Sequence, residues 1–156
     1  MLLTGCAPHR GGATDESAGP VTNRDAAQGL ALSLTVPADH LVAGKTYRAT
    51  VTATNTTDEP IEIVSPTGAK YHLTVWRPST IHYREVKRYP ETSIQVLTPW
   101  TLRAGESVTW DPRLPVGPDW PSGQWLRLTA DLNGVTGLQA AVEVYVVRDR
   151  REQQEQ

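Results

Sequence analysis

The alternation of apolar and polar residues that begins at Leu30 is the most regular pattern in the chain. Apolar side chains occupy every second position of residues 30–36, and they do so again in residues 47–53, where threonine and arginine lie between them. A repeat of two places successive side chains on opposite faces of a β-strand. Both segments are therefore predicted to be strands with their apolar side chains directed inward.

Six further segments combine β-branched or aromatic residues with a similar alternation, and turn-forming Gly, Pro, Asn and Asp separate them. They are residues 61–64, 71–76, 93–97, 106–110, 124–132 and 138–147. No helical repeat interrupts them, so neighbouring strands are expected to be antiparallel. The pattern predicts an all-β protein, an immunoglobulin-like antiparallel β-sandwich of about eight strands.

The composition changes on both sides of residues 30–147, which sets the expected limits of the domain. Residues 7–29 are rich in Gly, Ala, Ser, Thr and Asp and almost lack large apolar residues, so they are predicted to be a flexible linker. Residues 148–156 contain no large apolar residue and are predicted to be a disordered charged tail. A single domain of the remaining length can bury a core without several disulfides.

Charge and aromatic content narrow the possible functions. The formal net charge is -2 at pH 7, with both signs mixed along the chain, which argues against nucleic-acid binding. No apolar run reaches the roughly 18 residues that a transmembrane helix needs. Phenylalanine is absent while there are five tryptophans, so tryptophan is expected to supply much of the aromatic core.

Residues 3–6, Leu-Thr-Gly-Cys, resemble the lipobox of bacterial lipoproteins, in which the cysteine carries the lipid. Only five residues precede Cys6, fewer than a basic and apolar signal segment requires, and the alternative is a Gly-Cys pair without function. On the lipobox interpretation, residues 1–6 are the remnant of a lipoprotein signal and Cys6 is the lipidation site. The protein is then expected to be an extracytoplasmic lipoprotein of the cell envelope, attached to the membrane by its lipid alone.

Four blocks of sequence carry a family resemblance. Residues 54–61 hold an Asn-rich turn, residues 65–73 a Gly-x-x-Tyr strand start, residues 102–107 a Gly-Glu turn, and residues 123–128 a Gly-x-Trp strand. In order and spacing these blocks resemble the BsuPI family, named for an intracellular proteinase inhibitor of bacilli. The resemblance implies an immunoglobulin-like fold and a proteinase as the protein partner.

The blocks depart from the family pattern at two positions. Ala104 stands where the family usually has proline, and Trp125 stands where it usually has tyrosine. Because Trp125 follows a glycine and opens an alternating strand, its side chain is expected to point into the core.

The sequence lacks the spacings that catalytic and metal sites require. It has no Gly-x-Ser-x-Gly turn for a nucleophilic serine, and no His-x-x-x-His or Cys-x-x-Cys pair for a metal. His40, His72 and His82 lie amid many serines and threonines, but no such turn presents a nucleophile to them. The sequence therefore predicts a protein that is not an enzyme and that uses no cofactor and no metal.

Two connections are longer than a hairpin needs, and long connections on rigid sheets often carry binding sites. Residues 77–92 combine tyrosine with arginine, a composition typical of interface anchors. The alternative, that residues 81–87 are an exposed strand, remains open. The predicted partner-binding residues are Tyr83, Arg84, Arg88 and Tyr89.

The second long connection, residues 111–122, contains four prolines, which favour an extended backbone. Its Trp120 is expected to cap the core. Taken together, the sequence predicts a lipid-anchored protein-binding module with proteinase inhibition as the implied activity. The alternatives are a structural or assembly accessory of the envelope without inhibitory activity and, third, a carrier of a small ligand.

Overall fold

A computed structural model describes residues 19–148. Within this range the chain forms thirteen β-strands and no helix. The strands are β1 Val21–Ala27, β2 Leu30–Val36, β3 His40–Val42, β4 Thr46–Arg48, β5 Thr50–Asn55, β6 Ile61–Ser65, β7 Tyr71–Pro78, β8 Tyr83–Tyr89, β9 Thr98–Leu102, β10 Ser107–Trp110, β11 Arg113–Pro115, β12 Trp125–Leu132 and β13 Ala140–Val147.

The all-β class is confirmed, but the expected count of about eight strands is wrong. One reason is that the predicted strand at residues 47–53 breaks at Ala49 into β4 and β5, which belong to different sheets. Another is that the polar strand β1 and the three-residue strands β3 and β11 are too polar or too short to show an alternation in the sequence.

Two larger sheets and two small ones make up the molecule. The four-stranded sheet has the order β1-β2-β5-β10, and the five-stranded sheet has the order β3-β13-β12-β7-β8. The small sheets pair β11 with β4 and β6 with β9. All pairs are antiparallel except β3 with β13, which run parallel.

The core lies between the two larger sheets, where β1 and β2 contact β13 and where β2 also contacts β12. Leucine dominates it, and only Trp120 of the five tryptophans is buried within it. The expectation that tryptophan supplies much of the aromatic core is confirmed in part, because Trp100 and Trp110 pack against the core from partly buried positions, whereas leucine fills most of the space between the sheets. The largest fully buried side chains include Leu32, Leu34, Leu41, Leu73, Leu102, Leu114, Leu126, Leu128, Leu132 and Leu138.

The structure shows a strand inside the segment predicted to be a linker. β1 pairs with β2 along all seven of its residues, from Val21↔Val36 to Ala27↔Leu30. Two of its polar side chains also accept hydrogen bonds from β13 and from the residue just before that strand. Asn23 Oδ1 accepts from the Ala141 amide (3.0 Å), and Asp25 Oδ2 accepts from the Gln139 amide (2.9 Å). Backbone pairing does not require apolar residues, so composition alone misses such a strand. Residues 1–18 and 149–156 lie outside the described range.

Candidate functional site

The predicted partner-binding residues lie on one strand. Tyr83, Arg84, Arg88 and Tyr89 all belong to β8, at the edge of the five-stranded sheet and paired with β7. The structure thus follows the alternative in which this segment is a strand. Tyr83 is 42% exposed, and Arg84 and Arg88 are exposed as well.

Tyr89 is the member of this set that the structure corrects. Only 6% of it is exposed, and its hydroxyl accepts a hydrogen bond from Trp120 Nε1 (3.3 Å). Burial raises the pKa of the Tyr89 phenol. Its ring fills the core instead of a surface, because Tyr89 lies opposite the buried Leu73 of β7 and directly opposed residues face the same side of a sheet. The expectation that Trp120 caps the core is confirmed.

The two long connections, residues 77–92 and 111–122, meet at this strand. Lys87 Nζ lies 2.7 Å from Asp119 Oδ2 and 3.3 Å from Glu91 Oε1. These hydrogen bonds, that with Asp119 first, raise the pKa of Lys87. Lys87 therefore links β8 both to the proline-rich connection and to the segment that follows the strand.

Other charges on β8 also have partners nearby. Arg88 forms an ion pair with Glu85 (2.8 Å), and the Arg127 guanidinium lies 5.5 Å from the centre of the Tyr83 ring. Arg84 borders an open depression of about 460 Å³, which Asp119 also lines. The exposed side chains of β8 are thus of mixed charge and do not form a broad cationic patch.

A second surface follows β8 and was not singled out by sequence reasoning. Residues 91–97, here called the apolar loop, expose Ile94 by 72%, Val96 by 56% and Leu97 by 68%. The prediction of a strand at residues 93–97 is wrong, because the segment forms no strand pairing and its apolar side chains face solvent. A signal was present in the sequence: Leu97 directly follows Val96, and two consecutive apolar residues break the strand alternation.

The apolar loop is anchored at both ends and in the middle. Tyr89 is buried just before it, and β9, directly after it, pairs with β6 from Thr98↔Ser65 onward. In the middle, the Gly68 amide donates a hydrogen bond to the Ile94 carbonyl (2.8 Å). A Cβ atom at position 68 would lie only 2.8 Å from Ile94 Cγ1, so glycine permits this close approach.

The strands that hold the end of the loop are themselves tied to the core. Ser65 Oγ donates to the Asn133 carbonyl (2.8 Å) and accepts a hydrogen bond from Trp100 Nε1 (3.0 Å). The buried Asn55 donates through Nδ2 to the Leu102 carbonyl (3.0 Å). These bonds give the apolar loop a rigid base, although the loop itself is exposed.

The loop surface carries no charge of its own beyond Glu91. Residues 92–102 contain no Asp, Glu, Lys, Arg or His. Contiguous exposed apolar side chains are uncommon on soluble proteins and mark sites of interaction. The arrangement suits the binding of an uncharged, apolar cleft in a partner.

Residues 34–134 match the family model of BsuPI, described as intracellular proteinase inhibitor. The chain belongs to the BsuPI family. The match covers the apolar loop, its anchors and all of β8, and it confirms the family resemblance seen in the sequence. The family is described as an inhibitor, which agrees with the expectation that the protein is not an enzyme.

The family description corrects the predicted location. An intracellular proteinase inhibitor contradicts the expectation of an extracytoplasmic, membrane-anchored lipoprotein of the cell envelope. That expectation depended on the residues around Cys6, which lie outside the described range. Within residues 19–148, no helix is long and apolar enough to cross a bilayer.

Solved structures resemble this BsuPI chain at low identity. The sporulation control protein Spo0M of Bacillus subtilis aligns with a TM-score of 0.49 and 14% identity, covering 78% of this chain and 50% of Spo0M. A β-glucosidase of Listeria innocua aligns with a TM-score of 0.46 and 17% identity, covering 76% of this chain and 16% of the enzyme. The chain thus spans half or less of these proteins. The comparison with curated proteins gave no match.

Trp125, predicted to point inward, lies on the outer face of the five-stranded sheet and is 48% exposed. Its ring packs against His40 and Tyr145, at centroid distances of 5.7 and 5.6 Å. The inward positions of β12 are occupied by Leu126 and Leu128, so the residue before them faces outward. Across the described part of the BsuPI chain, no group of His, Cys, Asp and Glu could hold a metal ion.

Proposed function

We propose that this protein binds a proteinase and inhibits it by placing the apolar loop, residues 91–97, in the substrate cleft of the enzyme. The observation that carries the proposal is the exposure of Ile94, Val96 and Leu97 on a loop that is anchored at both ends. Membership of a family described as proteinase inhibitor names the class of partner. We also propose that the two larger sheets form an immunoglobulin-like sandwich that supports this loop.

The anchoring of the loop favours tight binding. A segment that is already fixed in its bound conformation loses less entropy on association than a flexible one. The hydrogen bond between Gly68 and Ile94, the β6–β9 pairing and the Lys87–Glu91 ion pair all restrict the loop before a partner arrives. Inhibitors of this kind move little when they bind.

The backbone of the loop is also suited to a cleft. Among the hydrogen bonds of residues 19–148, none uses the backbone of Gln95 or Leu97. The chain bends at Val96, so short stretches of backbone on either side of it can pair with the edge of a partner's sheet, while the exposed side chains enter pockets. The loop therefore offers both elements of peptide recognition.

The exposed residues of β8 extend the proposed contact. Arg88 lies three residues before the loop, and Arg84 and Tyr83 continue along the same edge strand. Arg88 and Tyr83 pair with alternate residues of β7 and share one face, whereas Arg84 lies on the other face of this edge strand. We propose that these side chains meet the rim of the enzyme from both sides of the strand, where exposed charges contribute modestly. Tyr89, being buried, contributes to the support of this surface only.

An inhibition assay tests the proposal. Residual activity is measured for endopeptidases that cleave after apolar, basic or acidic residues, each titrated with the full chain. We expect wild-type protein to inhibit at least one of them. The variant Ile94→Ser/Val96→Ser/Leu97→Ser should bind at least about 100-fold more weakly by inhibition constant, because truncating the central apolar residues of an interface removes much of its affinity.

The matched control is Tyr83→Ser/Arg84→Ser/Arg88→Ser, for which we expect a loss of about 10-fold or less, because rim contacts contribute little. Circular dichroism and thermal unfolding establish that both variants are folded. If the loop variant inhibits as well as wild type, the loop is not the site. If wild type inhibits no endopeptidase in the panel, the inhibitory function is wrong, and an accessory role without inhibition becomes the better interpretation.

A further inference from the structure

We infer that Leu97 is the residue that fills the primary specificity pocket of the inhibited enzyme, and that this pocket is apolar. The inference rests on the proposed function and assigns one side chain of the loop to the position that decides which proteinase is bound. It is drawn from the different surroundings of the three exposed apolar residues.

Ile94 is tied to the body of the protein at Gly68, although 72% of the residue is exposed. Its carbonyl accepts the Gly68 amide, and its side chain lies so close to Gly68 that a Cβ atom there would meet Cγ1 at 2.8 Å. A residue bonded on one side in this way cannot place both its backbone and its side chain deep in a cleft. Ile94 is therefore an anchor of the loop, with its outer surface at the margin of the contact.

The backbone on either side of Leu97 is fixed, while its side chain projects. Thr98 Oγ1 donates a hydrogen bond to the Val96 carbonyl (3.0 Å), which bridges the two neighbours of Leu97. Thr98 is also the first residue of β9 and pairs with Ser65. Leu97 is thus the exposed side chain at the point where the free loop enters a rigid strand.

Side-chain shape separates Leu97 from Val96. Valine and isoleucine branch at Cβ, which restricts χ1 and broadens the side chain next to the backbone. Leucine branches one atom further out and can enter a narrow pocket without widening at its mouth. Of the exposed apolar residues in the loop, Leu97 alone has this shape.

The charges near the loop select the kind of pocket. No ionisable residue occurs between positions 92 and 102, and Glu91 is engaged with Lys87. A pocket lined by a buried carboxylate or guanidinium would be desolvated without gaining a counter-ion from Ile94, Val96 or Leu97, and the nearby cations Lys70 and Arg88 lie outside the loop. The surface fits an endopeptidase that cleaves after large aliphatic residues.

The position also predicts where slow cleavage would occur. Hydrolysis of the Leu97–Thr98 bond consumes one water and leaves a carboxylate on Leu97 and an amine on Thr98. Because Thr98 stays paired with Ser65 in the β6–β9 sheet, the new amine is held near the site of cleavage. We expect cleavage to be slow and the nicked chain to remain folded as one unit.

Two measurements on the full chain test the assignment. Leu97→Lys is expected to weaken inhibition of the enzyme with apolar specificity by about 100-fold, and to create inhibition of an enzyme that cleaves after lysine or arginine, because specificity follows the pocket residue. Leu97→Met should stay within about 5-fold of wild type, since the two side chains have similar volume. The matched control Ile94→Lys should lose far less than Leu97→Lys.

The second measurement is mass spectrometry of wild-type protein after prolonged incubation with the inhibited enzyme, where a new amino terminus at Thr98 is expected. A new terminus elsewhere in the loop, or a larger loss for Ile94→Lys than for Leu97→Lys, would overturn the assignment while leaving inhibition by the loop intact. Absence of inhibition by wild-type protein would overturn both. All three variants are at exposed positions, and thermal unfolding verifies that each is folded.

Discussion

At the scale of single residues, Trp120 and Trp125 show how two similar side chains take opposite roles. Trp120 is buried, and its indole nitrogen donates to the Tyr89 hydroxyl, which joins the proline-rich connection to β8. Trp125 lies on the outer face of the five-stranded sheet and contacts His40 and Tyr145. The difference matters for stability, because Trp120 removes nearly all of its area from water and Trp125 only about half.

We expect Trp120→Ala to lower the free energy of unfolding by about 3–5 kcal/mol, the range for deleting a buried aromatic side chain. Trp125→Ala should cost no more than about 1 kcal/mol, since it leaves no cavity and removes only surface ring contacts. Urea titration followed by far-ultraviolet circular dichroism measures both. Equal losses in the two variants would show that Trp125 carries as much of the core as Trp120.

A pH effect is expected at the cross-strand pair of His72 on β7 and Asp131 on β12. Partial burial lowers the pKa of His72, although Asp131 and Glu85 oppose this and Arg88 adds to it. Burial also disfavours the charged form of Asp131 and so raises the pKa of that carboxyl. The folded state therefore favours neutral His72 relative to the unfolded chain.

The stability that depends on neutral His72 is fully present above the ordinary histidine pKa, and it is lost as pH falls through that value toward the lower folded pKa. We expect the His72 contribution to the free energy of unfolding to decrease between pH 7 and pH 5, and His72→Gln to remove this contribution. The raised pKa of Asp131 acts in the opposite direction, because it adds stability as pH falls toward the folded pKa of that carboxyl. Denaturant titrations of both proteins at the two pH values measure the difference. A variant slope as steep as that of wild type would assign the dependence to other groups.

At the scale of elements, the contact between Gly68 and Ile94 couples the connection before β7 to the apolar loop. Gly68→Ala would push Ile94 outward and displace the loop, while the core residues stay in place. We expect proteinase inhibition to weaken by about 10-fold, because a misplaced contact residue loses affinity without a large loss of fold stability. The free energy of unfolding should change by less than about 1 kcal/mol.

The control for this prediction is the same substitution in an Ile94→Ala background. Removing the isoleucine side chain provides room for the new methyl group, so the effects of the two substitutions should not add. Inhibition constants of the single and double variants measure the coupling. Full additivity would mean that Gly68 does not act through Ile94.

At the scale of the whole molecule, β1 completes the four-stranded sheet and contacts the other one through β13. A fragment of residues 30–148 lacks this strand and exposes the edge of β2. We expect it to be less stable than residues 19–148 by about 2 kcal/mol or more, since several hydrogen bonds of about 1 kcal/mol each are lost. It should also self-associate more readily, because an unprotected edge strand pairs with other chains.

Denaturant titration and analytical ultracentrifugation of the two fragments test this expectation. The fragment of residues 19–148 is the matched control, because it differs only by residues 19–29, which contain β1. Equal stability and equal sedimentation of both fragments would mean that β1 contributes nothing to the fold.

The sequence by itself determined the all-β class, the inward sets of β2 and β5, and the family. Each of these depends on a local repeat or on short motifs, and a strand buried on one face must alternate wherever it pairs. The turn at residues 54–61 is an example. Buried Asn55 accepts hydrogen bonds from the Thr57 amide and hydroxyl, and asparagine side chains form such bonds with residues two positions further along the chain.

Only the tertiary structure decided which exposed segment became the candidate site. Tyr89 and Leu97 are both apolar residues near strand ends, yet one is buried against Trp120 and the other projects from the loop. Their fates depend on residues far away in the sequence, such as Trp120 and Ser65, which pack against or pair with their neighbours. A local pattern states that a side chain is apolar, but burial depends on whether another part of the chain covers it.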